Sequence, residues 1–282
     1  MSISSLSAAQ IASLSATVIG QISTTDLGSL SGAQVGAIST AGIAALNTSQ
    51  VDALSTTGVK GLTAAQIPAL AAGILFDATQ LQAFSSAQVH SLSTSEVSLL
   101  TSTDVTQLSG SQASGFTATQ LNNLATSNVA LLNSSSIGAL TAATLGALNA
   151  TALNSLTSSQ VGELTKAQLG GLTTTQLSDT SNTTFVDALT STEFGQLSAA
   201  QVNGLGGNVT ALATTLAAGL TSAQVGGLTS TTLTALGATV LDSLTTQLAG
   251  LTAAQLGLRQ VMDLGRGQLV DGGAEAADLG GG

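Results

Sequence analysis

Few side chains in this sequence could take part in catalysis, and His90 is the first to consider. It is the only histidine of the chain, and Ser91, Ser93 and Glu96 follow it closely. A histidine base, a serine nucleophile and an orienting carboxylate are the parts of a hydrolytic triad. However, serine is abundant throughout, and His90 occupies a repeat position that elsewhere holds Gly, Ala or Asp. We therefore interpret His90 as structural and predict no catalytic residues and no enzyme.

Two sets of carboxylates could bind a cation or transfer a proton. The first set recurs at one repeat position and comprises Asp26, Glu96, Asp104 and Glu193. The second set lies near the C-terminus and comprises Asp271, Glu275 and Asp278, whose spacing matches no calcium-binding loop. The sequence therefore predicts that the first set caps helices and that the second belongs to a solvated tail. We expect no metal site and no bound cofactor.

Composition restricts the classes of partner. The net charge is −10, with only four Lys and Arg in 282 residues, so clusters that neutralise the phosphates of nucleic acid or anionic lipid are not expected. The chain has no cysteine, which excludes disulfides and thiolate metal sites. Ser, Thr and Gln interrupt every apolar stretch, so we expect no membrane span, and no N-terminal signal peptide is visible.

An eight-residue repeat, here called the octad, fills most of the chain. Position 1 is a large apolar anchor, position 2 is Ser or Thr, position 5 is Gln, position 6 is aliphatic, and small residues occupy the rest, as in residues 6–13. A fixed short period is typical of a solenoid. We predict an octad-repeat solenoid over residues 1–258, with phase breaks near 70–76 and 179–188. A flexible, acidic, Gly-rich tail is predicted over 259–282.

The spacing favours a very short helix in each octad. In one continuous helix, eight residues advance about 800°, so the apolar positions would spiral around the rod and form no buried stripe. With Ser or Thr as the N-cap, Gln falls at N3 and completes a capping box, while the anchor and the aliphatic residue become the N′ and N4 partners of a hydrophobic staple. The predicted fold class is an all-α solenoid of short capped helices. A β-solenoid remains the alternative, because Val, Ile and Thr are plentiful.

Small and aromatic residues complete this prediction. Glycine at the last two octad positions is typical of helix C-termini. Small residues at positions 3, 4, 7 and 8 predict close approach between successive coils. Of the five phenylalanines, Phe76 and Phe185 coincide with the phase breaks, so we expect these rings to fill gaps where the coil changes pitch.

The uninterrupted Leu-Ser/Thr-x-x-Gln-Ile/Val/Leu-x-x octads resemble the repeat tracts of large bacterial secreted and cell-surface proteins of the adhesin or matrix type. The resemblance covers about residues 6–258, brings no catalytic motif, and implies an extracellular or cell-surface location. We expect a structural protein that self-assembles as a homo-oligomer or polymer into a filament or surface layer. The alternatives are a peptide- or glycan-binding solenoid, an adhesin stalk, and a protein that binds ice or mineral surfaces.

Overall fold

A computed structural model describes residues 3–71, 73, 76–179, 183–206, 218–244 and 246–257. The chain divides into two compact units, Met1–Leu164 and Thr165–Gly282. In the first unit, 3-10 helices lie at Ile3–Ser5 and Ile67–Ala69. Its α-helices are Ala8–Ala12, Ala16–Gly20, Thr24–Gly28, Gly32–Ala37, Thr40–Ala44, Thr48–Asp52, Thr56–Lys60, Ala78–Gln82, Ser86–His90, Thr94–Ser98, Ser102–Thr106, Gly110–Ala113, Ala118–Asn123, Thr126–Val129, Ser134–Ala139, Ala142–Gly146, Ala150–Asn154 and Ser158–Gly162.

The second unit continues the same pattern. Its α-helices are Lys166–Leu169, Thr174–Ser178, Thr183–Ala188, Ser191–Gln196, Ala199–Gly204, Ser222–Gly226, Ser230–Ser243 and 253–257, and a 3-10 helix lies at Gln247–Gly250. The described residues of both units contain no β-strand, so the all-α prediction is confirmed against the β-solenoid. None of the described helices is both long enough and apolar enough to cross a bilayer. The predicted tail, 259–282, lies outside the described residues.

The hydrogen bonds of one octad explain why each helix is short and begins where it does. The Ser85 N–H donates to Gln88 Oε1 at 2.8 Å, and the Gln88 N–H donates to Ser85 Oγ at 3.3 Å, which completes the predicted capping box. The Val89 N–H then donates to the Ser85 carbonyl, and the N–H of the next anchor, Leu92, donates to the Val89 carbonyl. The chain turns at this anchor and the next Ser restarts a helix.

Three octads make one turn of the stack. Helix Ala8–Ala12 contacts Gly32–Ala37, and Ser86–His90 contacts Gly110–Ala113, in each case the third helix along the chain. Anchors and aliphatic residues point into the stack, and from Leu30 to Leu164 the described residues at both positions are buried. This burial stabilises the helices, because a five-residue helix has almost no stability in water by itself.

Close contact between turns is the reason for glycine at the octad ends. Gly61 ends its helix with φ −81°, a right-handed conformation that any residue adopts, so backbone freedom does not explain it. A Cβ on Gly61 would lie 1.9 Å from the Gly32 carbonyl oxygen, and one on Gly115 would lie 2.1 Å from the Ser86 carbonyl oxygen. The predicted close approach of coils is therefore confirmed.

Irregularities of the repeat coincide with glycines of positive φ and with aromatic residues. The described glycines with positive φ are Gly73, Gly206 and Gly237, and Gly237 lies where two helical segments meet within Ser230–Ser243. Phe76 follows the first phase break and packs edge-to-face on Phe84, with ring centroids 4.7 Å apart. All five phenylalanines are buried in the core, and the filling of gaps at the phase breaks stays a prediction.

Candidate functional site

The structure does not assemble a triad around His90. The His90 ring is exposed, and its Nδ1 lies 3.2 Å from the Gly115 carbonyl oxygen in the following turn. The Ser91 hydroxyl donates to the Ala87 carbonyl, and the Ser93 hydroxyl accepts the Glu96 N–H at 3.2 Å. These hydroxyls therefore bond to the backbone of their own helices, and His90 links two turns.

The repeat-position acids cap their helices, as predicted. Glu96 Oε2 accepts the Ser93 N–H at 2.6 Å, and Asp104 Oδ2 accepts the Thr101 N–H at 2.8 Å. Glu193 does the same for Thr190 and is only 4% exposed. At Asp26, Oδ2 accepts the Ser23 hydroxyl at 2.8 Å, and the same hydroxyl accepts the Asp26 N–H at 3.1 Å.

Metal binding has no support in the residues that the structure describes. No group of three or more His, Cys, Asp or Glu side chains lies close enough there to hold an ion. The tail carboxylates Asp271, Glu275 and Asp278 lie outside the described residues, so the prediction that they are solvated stays a prediction.

The octad glutamines link successive turns, a role that the sequence analysis missed. Gln120 Oε1 accepts the Thr117 N–H at 2.8 Å, while its Nε2 donates to the Val89 and Leu92 carbonyls of the preceding turn at 2.9 and 2.8 Å. Gln160 repeats this arrangement, donating to the Val129 and Leu132 carbonyls. A capping box accepts Glu or Gln at N3, but only an amide can also donate to a carbonyl. The preference for Gln over Glu at position 5 is the signal that could have revealed these bonds.

Where position 5 is a short side chain, a second side chain reinforces its inter-turn bond. Ser136 replaces Gln in its octad, and its hydroxyl lies 3.3 Å from the Leu108 carbonyl oxygen. The cap residue Asn133 compensates, because its Nδ2 donates to the same oxygen at 2.9 Å. The anchor carbonyl is therefore still satisfied, as a buried acceptor requires.

A groove of about 470 Å³ opens in the second unit, lined in part by Lys166, Gln196, Ser198, Thr221 and Gln224. Lys166 and Gln196 occupy octad positions 3 and 8, where closely packed turns have small residues such as Gly32 and Gly61. Gln196 Oε1 is buried and has no hydrogen-bond partner among the described residues. The groove therefore offers one unsatisfied acceptor and one exposed ammonium group.

The first turn of the first unit has an open apolar face. Its anchors Leu6, Leu14 and Ile22 are only half-buried, and Val18 is 46% exposed. A hollow of about 420 Å³ lies between these side chains. The corresponding anchors of the next turn, beginning at Leu30, are 2% exposed. We call this surface, formed by Leu6, Gln10, Leu14, Val18, Ile22 and Asp26, the first-turn face.

Comparison with known proteins places the chain among repeat proteins. A family model described as the ALTTAQ repeat matches residues 19–56. The matched segment consists of regular octads with short capped helices, which agrees with a repeat-containing protein. No curated protein matches the chain, and no solved structure matches it. The resemblance to adhesin- or matrix-type proteins stays a prediction.

Proposed function

We propose that this protein is a structural repeat protein that self-assembles into an extracellular filament or surface layer. The observation that carries the proposal is the repetition of one inter-turn interface along the chain. Each regular turn has amide donors directed toward the preceding turn and anchor carbonyls directed toward the following one, as Gln120 and Leu92 illustrate. An interface of this kind has no built-in limit on the number of turns that it can join.

The residue composition of the surface also supports self-association. The chain has 6% charged residues against a usual quarter, and its exposed positions are mostly Ser, Thr, Ala and Gly. Few charged side chains therefore have to be desolvated when two such surfaces meet. The absence of cysteine also suits an oxidising exterior, where a free thiol would cross-link at random.

Two measurements test this function. Light scattering coupled to size-exclusion chromatography, run over a wide concentration range, is expected to show a mass that grows with concentration, and electron microscopy is expected to show filaments or sheets. A monomer at every concentration would contradict self-assembly. Fractionation of the source cells with an antibody against the repeat tests location, and retention in the cytoplasm would contradict the extracellular part of the proposal.

The groove at Lys166 favours a second candidate function, the binding of a small ligand. A molecule with an N–H or O–H donor next to a carboxylate, such as an acidic sugar, would satisfy Gln196 Oε1 and pair with the Lys166 ammonium group. The test is titration of the protein with glucuronic acid, with glucose as the uncharged control, followed by NMR. Shifts confined to the groove that disappear in Lys166→Ala would support binding, and shifts of equal size with glucose would contradict the role of Lys166.

A further inference from the structure

Three asparagines that the structure describes begin the sequence Asn-x-Ser/Thr, which is the acceptor sequence for N-linked carbohydrate. They are Asn47, Asn133 and Asn149, and two more, Asn182 and Asn208, lie outside the described residues. A chain rich in Ser and Thr also contains this sequence by chance, so the sequence alone does not identify an acceptor. The sugar becomes attached to Nδ2, and the surroundings of that atom therefore decide which asparagine can be modified.

Each of these three asparagines is the N-cap of a short helix, and its Oδ1 makes the capping bond. The Gln50 N–H donates to Asn47 Oδ1 at 3.0 Å, and the Ala152 N–H donates to Asn149 Oδ1 at 2.9 Å. Asn47 and Asn149 are exposed, and their Nδ2 atoms make no hydrogen bond with the residues that the structure describes. Both side chains therefore present an amide nitrogen to solvent.

The amide of Asn133 has different surroundings. Its Oδ1 accepts the Ser136 N–H at 2.9 Å, while its Nδ2 donates to the Leu108 carbonyl of the preceding turn at 2.9 Å. The side chain is half-buried. A sugar on this nitrogen would have to occupy the space in which the Leu108 carbonyl lies, so the fold protects Asn133 from modification.

The surface next to Asn47 has room for a sugar. A hollow of about 560 Å³ lies there, and Ser23, Thr24 and Ser49 are among the residues that line it. Their hydroxyl groups can donate and accept hydrogen bonds, as the hydroxyls of a sugar do. Ser49 also supplies the hydroxyl of the acceptor sequence and is exposed, as is Thr151 in the second accessible sequence.

We infer that Asn47 and Asn149 carry N-linked carbohydrate and that Asn133 does not. In the transfer, Nδ2 forms a bond to the anomeric carbon of a sugar diphosphate donor. The bond from that carbon to the diphosphate oxygen breaks, the diphosphate leaves with the electron pair, and one amide proton passes to a base of the transferase. The amide keeps its carbonyl oxygen, so both helix caps are retained.

Mass spectrometry of the full-length protein from its source cells tests this inference. Peptides that contain Asn47 or Asn149 are expected to carry the added mass of a sugar, and the Asn133 peptide is expected at its unmodified mass. Ser49→Ala is expected to abolish modification at Asn47 alone, and the matched control Ser49→Thr is expected to retain it. An unmodified peptide at Asn47 or Asn149 would overturn the inference, and so would modification of Asn47 in Ser49→Ala.

A second measurement tests whether the fold makes the selection. The folded chain and a peptide spanning residues 130–138 are each treated with an N-glycosyltransferase and its sugar diphosphate donor. The peptide is expected to be modified, whereas Asn133 of the folded chain is expected to react about tenfold less than Asn47, because its amide must first break the bond to Leu108. Equal reaction of Asn133 and Asn47 in the folded chain, or an unreactive peptide, would contradict selection by the fold.

The inference goes beyond the proposed function, and the two can fail separately. A protein that carries these sugars and stays monomeric at every concentration would contradict self-assembly only. A protein that assembles without sugar on Asn47 and Asn149 would contradict the inference only.

Discussion

Asn122 accepts, through Oδ1, the backbone N–H of Asn149 in the following turn, with a donor–acceptor distance of 2.9 Å. Asn149 is the N-cap of its helix, and in regular octads the position 5 Gln accepts the N–H of the cap. In this octad position 5 is Ala152, whose side chain has no hydrogen-bond acceptor. Asn122 Nδ2 also donates to the Ala147 carbonyl at 3.2 Å. The amide of Asn122, which lies in the preceding turn, therefore takes the place of the missing position 5 Gln. Asn203 makes the same pair of bonds to Gly227 and Thr229.

This compensation predicts a rescue. Asn122→Ala removes two hydrogen bonds and is expected to lower the free energy of unfolding by about 1–2 kcal/mol. Ala152→Gln, added to that variant, restores an acceptor at position 5 and is expected to recover most of the loss. Hydrogen exchange at the Asn149 amide is the measurement, since it reports the bond directly. Asn123→Ala is the control, because Asn123 donates only to Thr119 of its own helix. Equal exchange rates in the single and double variants would contradict the rescue.

The inter-turn role of glutamine predicts unequal effects at two capping boxes. Gln120→Ala removes the acceptor of the Thr117 N–H and leaves the Leu92 carbonyl without its Nε2 donor, so a cost of about 2–4 kcal/mol is expected. Gln10→Ala removes the equivalent acceptor of the Ser7 N–H at an exposed position and is expected to cost about 0.5–1.5 kcal/mol. Urea unfolding midpoints of the two variants make the comparison. Similar midpoints would mean that capping alone accounts for the stabilising effect of glutamine at position 5, without the inter-turn bonds.

Two glycines in the same unit are expected to respond to alanine with opposite signs. At Gly115 the new methyl group would lie 2.1 Å from the Ser86 carbonyl oxygen, so the turns must separate, at a cost of about 3 kcal/mol. At Gly138, inside helix Ser134–Ala139, nothing lies within 4 Å, and alanine is expected to stabilise by about 0.5–1 kcal/mol. Thermal unfolding followed by circular dichroism measures both changes. A stable Gly115→Ala variant would contradict the close packing of turns.

Glu193 is expected to be less stabilising than the glutamine that it replaces. Its side chain is 4% exposed and caps Thr190, but a carboxylate cannot donate as Gln201 Nε2 does to the Leu172 carbonyl. Glu193→Gln is therefore expected to raise stability by about 1 kcal/mol at neutral pH. The control is Glu163→Gln, which makes the same charge change at an exposed residue and is expected to stay within about 0.5 kcal/mol of the wild type. An equal shift in both unfolding midpoints would indicate a net-charge effect instead.

The local part of the fold could be predicted from the sequence because it is encoded within one octad. Ser85 and Gln88 lie three residues apart, and a capping box requires no knowledge of distant residues. The bond from Gln88 Nε2 to the Leu62 carbonyl spans 26 residues, so it depends on how many octads make a turn. An eight-residue period indicates that the chain turns a corner in every octad, but it does not determine how many corners make one turn of the stack. The number of octads per turn depends on how the buried anchors pack, and the repeat period alone does not determine that packing.

The site-level predictions divide in the same way. The capping roles of Glu96 and Asp104 follow from their place in the octad, and both are confirmed. The groove beside Lys166 and the open face around Val18 could not be predicted, because each arises from residues that differ from their equivalents in a neighbouring turn. Residue type at one position indicates little until the turn against which it packs is known.

Because every third helix is a neighbour, a change in length has a predictable consequence. A gain or loss of whole octads would leave the capping box of each remaining octad intact. If three octads are inserted or deleted, every later residue stays on the same side of the stack, because three octads make one turn. If one octad is inserted or deleted, all later residues move to the adjacent side. Length variants that differ by 24 residues would therefore keep their surface chemistry, and variants that differ by eight would exchange it between sides.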